Sequence, residues 1–280
     1  MNLEPRTLYL VGTPIGNLED MTFRAVSVLK NADLIAAEDT RHTGKLLQHF
    51  QISTPQLSYH QHNHQQRHQE LLKRLQRGEA IALVTDAGMP SISDPGYELV
   101  KVCLEAGISV IPIPGVTAVI TALAASGLPG ERFIFGGFLP HKNKPRQELL
   151  NSLKQETRTL IFYESPHHLL QTLKDFARSL GENRSLVLAR ELTKIHEEFW
   201  RGTIGEAITL YSQERQPKGE YTLVLAGAET NSTLNLSEAE LRVELQQLLK
   251  QGMTRSQASR HLAELTSLPR REIYKLTLEN

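Results

Sequence analysis

The chain has 280 residues and a formal charge of zero, which is enough length for two domains of ordinary size and a small appendage. An apolar share of 40% and a charged share of 22% exclude a disordered composition, and the single cysteine excludes an internal disulfide framework. No window approaches the roughly 18 uncharged apolar residues of a membrane span, and the start, MNLEPRTLYLVG, lacks a signal-peptide pattern, so we expect a cytoplasmic protein.

Strand-like and helix-like segments alternate in the first part of the chain. The predicted strands are Thr7–Val11, Leu34–Ala37, Gln56–Tyr59, Ala80–Thr85 and Ile108–Ile113. The predicted helices are Met21–Lys30 with Asp20 as cap, Thr43–Phe50, Gln65–Arg77, and one with Asp94 as N-cap and Pro95 as first residue that ends at Gly107. This alternation indicates an α/β fold with a mostly parallel, covered sheet.

After the segment Pro112–Gly115 the predicted strands become longer and more polar. They are Phe133–Phe138, Thr159–Tyr163, Leu186–Glu191, Glu198–Ile204 and Tyr221–Ala226, and the predicted helices are Thr117–Ala125, Arg146–Lys154 and His167–Leu180. We therefore predict one α/β domain over residues 1–115 and a second over 116–230. The crevice between two such domains is the natural place for a ligand.

The last part of the chain predicts a small helical domain over residues 231–280, after a polar linker at Glu229–Asn235. Capping boxes are predicted at Ser237 with Glu240 and at Thr254 with Gln257, and Gly252 ends the first helix. From Gly252 to Leu278 there are five positive and two negative side chains, a net charge of +3 in a neutral chain. This charge fits either a solvated helix surface or a contact with nucleic acid.

Three turns rich in glycine, proline and small polar residues follow predicted strands. They are GTPIGNL (12–18), TDAGMPSISDPG (85–96) and PGVTA (114–118), whereas no P-loop and no GxGxxG follows any strand. Small residues at the carboxyl ends of parallel strands let main-chain groups reach a ligand directly. One such turn is ordinary loop sequence, but three of them in one domain indicate a ligand site.

Two polar segments carry further candidate residues. LIAAEDTRHT places Glu38, Asp39 and Arg41 after a strand, where they form either a surface ion pair or a set that holds a ribose hydroxyl and a phosphate. SYHQHNHQQRHQ contains four histidines, with His64 and His68 one helical turn apart. Since the chain has neither HExxH nor paired cysteines, we predict that no metal binds there.

These segments, taken together, resemble one family. GTPIGNL, AEDTRHT, DAGMPSISDPG, PGVTAVITALAASGLP, GFLP, LIFYESPHHL, ARELTK and KGEYTLVL occur in the order seen in the ribosomal small-subunit RNA cytidine-2′-O-methyltransferases, which belong to the tetrapyrrole methylase superfamily. The resemblance runs from about Leu8 to Leu278. It departs at Met89, where the family often has Thr, at Val116-Thr117, where it often has Pro-Ser, at His64 for Glu, and at His168 for Arg.

The resemblance implies two α/β domains of the tetrapyrrole methylase type with S-adenosylmethionine in the interdomain cleft, and a homodimer. It also implies a target cytidine in the decoding region of 16S ribosomal RNA, within the small subunit. The residues expected to bind the cofactor are Pro14, Ile15, Asp86, Gly88, Met89, Ile92, Thr117, Ala118 and Tyr163.

A ribose hydroxyl is a poor nucleophile at neutral pH, so methyl transfer to it needs a positioned base. Glu38 or Asp39 is the expected base, with Arg41 holding the RNA backbone, and Glu191 beside Lys194 is a rival. Two other functions stay open: a methyltransferase of a tetrapyrrole or other small molecule, and a non-enzymatic RNA-binding factor in ribosome assembly. The basic C-terminal helices and AEDTR argue against the first, and cofactor binding would exclude the second.

Overall fold

The computed structural model describes residues 2–229, 236–266 and 268–278. The chain divides into two compact units, Met1–Gly227 and Ala228–Asn280. The described strands are β1 (Thr7–Val11), β2 (Leu34–Ala37), β3 (Gln56–Ser58), β4 (Ala80–Val84), β5 (Ser109–Ile113), β6 (Phe133–Phe138), β7 (Thr159–Glu164), β8 (Ser185–Arg190), β9 (Glu198–Thr203) and β10 (Tyr221–Leu225).

The described α-helices of the first unit are α1 (Phe23–Asn31), α2 (Thr40–His49), α3 (His64–Gln76), α4 (Tyr97–Glu105), α5 (Ala118–Ser126), α6 (Asn143–Ser152), α7 (Leu169–Leu180) and α8 (Ile204–Thr209). Those of the second unit are α9 (Glu238–Lys250), α10 (Arg255–Leu265) and α11 (Arg270–Leu276). In the part of the chain that the structure describes, none of these helices is long and apolar enough to cross a membrane.

The first sheet has the strand order β3-β2-β4-β1-β5, and each of its pairings is parallel. β2 and β4 are buried along their whole length, which explains why both consist of apolar residues without alternation. Separate apolar clusters cover the two faces of this sheet. Because the strands are parallel, their carboxyl ends and the turns that follow them lie at one edge of the sheet.

The second sheet has the order β6-β7-β10-β8-β9. Only β6 and β7 run parallel, and the remaining pairings are antiparallel. Apolar clusters again cover both faces, with Phe162 and Phe176 stacked at 5.4 Å between ring centroids on the side of α7. The expectation of α/β architecture is confirmed in both sheets, whereas the mostly parallel arrangement holds in the first sheet alone.

Five predicted helix starts differ from the structure by two or three residues, including α6, which begins at Asn143 and not at Arg146, and α7, which begins at Leu169 and not at His167. Thr22, and not Asp20, caps α1, because the Thr22 hydroxyl accepts a hydrogen bond from the Ala25 N–H. α2 begins at Thr40 with Asp39 as its cap, three residues before the predicted start. α4 begins at Tyr97. Gly96 before it has a φ of 146°, which is not helical, so Asp94 and Pro95 lie outside the helix. Asp94 is therefore a loop residue.

The second unit contains the three expected helices. Both predicted capping boxes are formed, at Ser237 with Glu240 and at Thr254 with Gln257. Leu241, Leu245 and Leu248 of α9 pack in one apolar cluster with residues of α10 and α11. Residues 230–235 of the predicted linker Glu229–Asn235 and the predicted boundary at 230/231 lie outside the described residues, and the division of the first unit at residue 115 stays a prediction.

Candidate active site

The three strand-end turns predicted as a ligand site meet at one edge of the first sheet. The N–H groups of Thr13 and Gly88 each donate to the other residue's carbonyl, at 2.9 and 3.0 Å. A Cβ added to Gly12 would lie 2.8 Å from Gly115 Cα, so only glycine allows this approach. Gly88 has a φ of +79°, which also favours glycine. These contacts hold the turns after β1, β4 and β5 in one fixed group.

A cavity of about 490 Å³, here named the central cavity, lies between these turns and the second sheet. Its lining is Ile15, Ala87, Gly88, Met89, Ile92, Ser93, Asp94, Thr117, Ala118, Phe138, Tyr163, Glu164, Ser165, Pro166, Glu220, Tyr221 and Thr222. Seven of the nine residues expected to bind the cofactor are in this lining. Pro14 and Asp86 are outside it.

The central cavity combines apolar walls with a few polar groups. Ile15, Ile92 and Ala118 offer apolar surface, while Thr117 caps α5 by accepting a hydrogen bond from the Ile120 N–H at 3.4 Å. The Ser165 Oγ is buried without a partner among the described residues. Burial raises the pKa of the Tyr163 phenol to about 12, so the phenol stays a hydrogen-bond donor. A nucleoside with a short polar tail, such as S-adenosylmethionine, fits such walls.

A second cavity of about 560 Å³, here named the acidic cavity, adjoins the central cavity. The two share Ser93 and Asp94 in their linings. The other residues of the acidic cavity are Glu38, Tyr59, Gln61, His64, Ser91, Pro95, Gly96, Tyr97 and Glu98. A group bound in the acidic cavity can therefore reach a ligand in the central cavity past Asp94.

Two carboxyl groups of the acidic cavity have raised pKa values. Burial raises the pKa of Asp94 to about 7, and the negative charges of Glu38 and Asp86 add to the effect. Burial also raises the pKa of Glu38, against the opposing effect of a hydrogen bond from the Asp86 N–H at 3.3 Å. A carboxyl group with a pKa near neutrality can accept a proton at physiological pH and is a strong candidate base.

Asp39 and Arg41 form a local ion pair at the start of α2. The Asp39 carboxylate accepts hydrogen bonds from the Arg41 N–H at 2.8 Å and from Arg41 Nη2 at 2.7 Å. These bonds hold the pKa of Asp39 well below its usual range, which disfavours it as a base. The Arg41 side chain is 89% exposed. Neither residue lines the central or the acidic cavity, so both roles stay predictions.

Glu191, the rival base, lies in a cluster beside the central cavity. Lys194 Nζ binds the carboxylates of Glu191 at 2.8 Å and Glu220 at 2.9 Å. Burial raises the pKa of Glu191, but the Lys194 ammonium and the Glu220 N–H outweigh it and lower the pKa below its ordinary value. Glu220 lines the central cavity, whereas Glu191 does not. The geometry favours Asp94 and Glu38 over Glu191.

The histidine run forms contacts within its own segment. His68 Nε2 lies 2.9 Å from the Tyr59 hydroxyl, and the rings of His64 and His68 are 5.2 Å apart. Within residues 2–229, 236–266 and 268–278, no group of three or more His, Cys, Asp or Glu side chains is arranged to hold a metal ion. The expectation that no metal binds stays a prediction.

Several lining residues were missed from the sequence. Asp94 was interpreted as a helix cap although it belongs to the strand-end turn TDAGMPSISDPG, a signal that could have placed it at the site. Phe138, Glu164 and Thr222 come from the second sheet, and only its position against the first sheet brings them to the central cavity.

Comparisons with known proteins agree with this architecture. Residues 7–208 match the family of tetrapyrrole (corrin/porphyrin) methylases, so the chain belongs to the tetrapyrrole methylase family. Within it, the chain is 64% identical over 272 residues to ribosomal RNA small subunit methyltransferase I of Synechocystis sp., with 97% of each chain covered. It is 49% identical to the protein of the same name from Escherichia coli O157:H7, with 97% of this chain and 94% of that one covered.

Two solved structures show the same fold. The conserved hypothetical protein APE0931 from Aeropyrum pernix K1 has a TM-score of 0.62 at 19% identity, with 97% of this chain and 99% of that chain covered. Uroporphyrin-III C-methyl transferase from Thermus thermophilus, complexed with S-adenyl homocysteine, has a TM-score of 0.55 at 19% identity, with 79% and 97% covered. At this identity the likeness supports the fold alone.

Proposed function

We propose that this chain is an S-adenosylmethionine-dependent methyltransferase of small-subunit ribosomal RNA, and that it methylates the ribose 2′-hydroxyl of a cytidine in the decoding region of 16S RNA. The match to the small-subunit methyltransferases over nearly the whole chain supports the RNA substrate. The acidic cavity supports the chemistry, because its Asp94 carboxyl faces the central cavity with a pKa of about 7.

The central cavity is the proposed cofactor site. Ile15, Ile92 and Ala118 pack against the cofactor, and polar groups of Thr117, Met89 and Tyr163 form hydrogen bonds with it. Gly88 lets the turn pass close to the cofactor, while its own N–H and carbonyl are paired with Thr13. Asp86 contributes indirectly, since its carboxylate accepts the Asp39 N–H at 3.2 Å and its N–H donates to Glu38. Pro14 stays a proposed contact on the resemblance.

Bound S-adenosylmethionine supplies a methyl group on a positively charged sulfur, which leaves as the neutral thioether. The new bond joins the ribose oxygen to the methyl carbon, the bond from carbon to sulfur breaks, and the hydroxyl proton goes to a carboxylate of the chain. Alignment of the reacting atoms by the two cavities can supply roughly 7–11 kcal/mol of the barrier reduction. A positioned base adds roughly 10²–10⁴-fold in rate.

Asp94 is the proposed base, because it is the carboxylate that lines both the acidic and the central cavity. Glu38 lines the acidic cavity and acts through Asp94, since its negative charge helps to keep the Asp94 pKa near neutrality. The sequence predicts a base directly after β2, where Glu38 lies. The assignment keeps Glu38 in the acidic cavity but gives the proton transfer to Asp94, in the loop before α4.

Other contacts with RNA are proposed at two places. Arg41 is exposed and can hold a phosphate when Asp39 fixes its guanidinium. The net charge of +3 between Gly252 and Leu278 supports contact of the C-terminal helices with the RNA backbone. The resemblance further supports a homodimer that acts in the cytoplasm on the small ribosomal subunit.

The two alternatives have weaker support. Two structural neighbours are named as a uroporphyrin-III-C-methyltransferase and as a cobalamin biosynthetic enzyme, but they share only the fold with this chain, at 22% and 20% identity. The relatives that are 44–64% identical are named as ribosomal RNA methyltransferases. A non-enzymatic RNA-binding factor would need neither the central cavity nor a carboxyl group with a neutral pKa beside it.

The test uses purified small subunits from cells that lack this gene, the purified chain and methyl-labelled S-adenosylmethionine. We expect label in 16S RNA at one cytidine, on the ribose oxygen, mapped by nuclease digestion and mass spectrometry. Comparison of ribosomal RNA from cells with and without the gene should show the same site. Binding of S-adenosylhomocysteine without any label in the RNA would instead favour a small-molecule substrate.

A further inference from the structure

A third cavity, of about 700 Å³, lies between α6 and α7 and adjoins the central cavity. This α6–α7 cavity is lined by His141, Asn143, Arg146, His168, Gln171 and Arg178, among others. It shares Phe138, Glu164 and Ser165 with the central cavity. An extended ligand can therefore occupy the α6–α7 cavity while another part of it lies at the cofactor.

The wall between the α6–α7 cavity and the central cavity is held by buried polar contacts. Arg146, whose side chain is only 12% exposed, binds the Asp175 carboxylate at 2.7 Å and the Thr172 hydroxyl at 2.6 Å. The Thr172 hydroxyl donates to Glu164, which also accepts the Ser165 N–H at 2.8 Å. These bonds fix the side chains of the wall, so the cavity is formed before a ligand arrives.

Basic side chains line this cavity together with the carboxylates of Glu164 and Asp175. Arg146 of α6 and Arg178 of α7 are in the lining, and Lys142, the N-cap residue of α6, is next in sequence to the lining residue His141. The Asp175 carboxylate already binds Arg146, and Arg178 Nη1 lies 3.6 Å from it, beyond ordinary hydrogen-bond length. Since the Arg178 side chain is 69% exposed, its guanidinium can bind an added anion.

The ends of two helices add to this positive potential. α6 and α7 are 10 and 12 residues long, and both begin without a side-chain cap and without an acidic residue in the first turn. Asn143, the first residue of α6, lines the cavity, whereas the Leu169 N–H at the start of α7 already donates to the Ser165 carbonyl at 3.1 Å. The start of a helix carries partial positive charge and favours anions, phosphate included.

Flat side chains stand beside these cationic groups. The rings of His141 and His168 are 6.0 Å apart in an edge-to-face arrangement, and Phe138, which is 56% exposed, lies where the cavity meets the central cavity. Unpaired bases stack on such rings in single-stranded RNA complexes. The cavity thus offers a phosphate site and a base site in one place.

We propose that the α6–α7 cavity binds a nucleotide that neighbours the target cytidine in the same RNA strand. Arg178 binds its phosphate, with Lys142 adding positive charge at the start of α6, and His141, His168 and Phe138 contact its base. This proposal rests on the proposed function, because the strand must also place a ribose at the acidic cavity. The enzyme then holds the strand at a second place beside the cofactor, so the target ribose is positioned by more than its own contacts.

The test is the double variant Lys142→Ala, Arg178→Ala, compared with Arg158→Ala. Arg158 is 47% exposed and paired with Glu156, but it lies before β7, at the end of the strand opposite to Glu164. We measure dissociation constants for small subunits and for a single-stranded fragment around the target, at several salt concentrations. The double variant should bind about tenfold more weakly, and its salt slope should fall by about 0.7, the contribution of one neutralised phosphate on a single strand.

The proposal is overturned if the double variant keeps the affinity and the salt slope of the Arg158→Ala chain. Lys142→Arg, Arg178→Lys should restore the slope, because the charges return. Binding of S-adenosylhomocysteine and the melting temperature report on folding, and the single exposed variant Arg178→Ala replaces the double one if the double one does not fold. Because the measurement is RNA binding, it stays decisive even if the wild-type chain fails to methylate ribosomal RNA, which would refute the proposed function separately.

Discussion

The change of Asp94 to asparagine should slow methylation and stabilise the protein at the same time. The pKa of Asp94 is about 7 in place of the usual 3.8, so the folded protein holds this proton between pH 4 and pH 7 while the unfolded chain has lost it. The free energy of unfolding of the wild-type protein therefore falls as the pH rises through this window. Below pH 4 the Asp94 carboxyl is protonated in both the folded and the unfolded state, so it adds no pH dependence to the free energy of unfolding.

The size of both effects follows from the pKa. A pKa difference of this size corresponds to about 4 kcal/mol at about 1.4 kcal/mol for each pH unit, and solvent screening of this partly exposed carboxyl reduces it to about 1–2 kcal/mol. The free energy of unfolding of Asp94→Asn should thus exceed that of the wild type by about 1–2 kcal/mol at pH 8 and equal it at pH 4. Its single-turnover rate at pH 8 should fall by roughly 10²–10⁴-fold, the usual contribution of a base.

The assay is single-turnover methylation of small subunits at saturating cofactor from pH 5.5 to 8.5, with urea unfolding at pH 4 and pH 8. The wild-type rate should be about tenfold lower at pH 6 than at pH 8, because about one-tenth of a carboxyl group with a pKa of 7 is ionised at pH 6. Glu105→Gln, an exposed change at the end of α4 outside both cavities, is the matched control. An Asp94→Asn enzyme with the wild-type rate and pH profile would refute the assignment of the base.

Three further predictions concern other residues. Glu38→Gln removes a negative charge beside Asp94, so the midpoint of the pH–rate profile should move to lower pH with the rate at pH 8 within threefold of wild type; a fall of 100-fold at pH 8 would make Glu38 the base. Ala118→Trp should abolish binding of S-adenosylhomocysteine in calorimetry, since the ring fills the central cavity, whereas Ala124→Trp on the exposed side of α5 should bind normally. Arg271→Ala, Lys275→Ala on α11 should lower the salt slope of RNA binding by about 1.4, and a slope equal to that of Lys250→Ala would exclude this contact.

The buried strands were predictable because the apolar run that marks each of them is a feature of its own short segment of sequence. β1 and β2 begin and end at the predicted residues, and β4 differs from its prediction only at Thr85, since a strand buried on both faces is a continuous apolar run. The direction of pairing in the second sheet was not predictable in the same way. The sequence of β10 does not indicate that this strand pairs antiparallel with both β7 and β8.

The site was predictable where it consists of turns after strands, and not where it depends on the meeting of two sheets. Gly88, Ile92 and Thr117 follow strands of the first sheet, and all three line the central cavity. Asp94 was misassigned because Asp-Pro is a common helix start, and local propensity cannot register that Ser91 and Ser93, with φ of 72° and 63°, bend the chain in this loop.

An enzyme that binds RNA at an acidic cavity must overcome electrostatic repulsion, and the distribution of charge around the cofactor site reduces this repulsion. RNA is a polyanion, and ionised Glu38 and Asp94 at the entry of the ribose would repel it. The raised pKa of Asp94, about 7, keeps part of this charge neutral near pH 7, while the ionised fraction can accept a proton in the reaction. At the α6–α7 cavity, which adjoins the central cavity, Arg178 and the first turn of α6 supply positive potential. A chain with no net charge can then bind RNA because its charges are separated around one site.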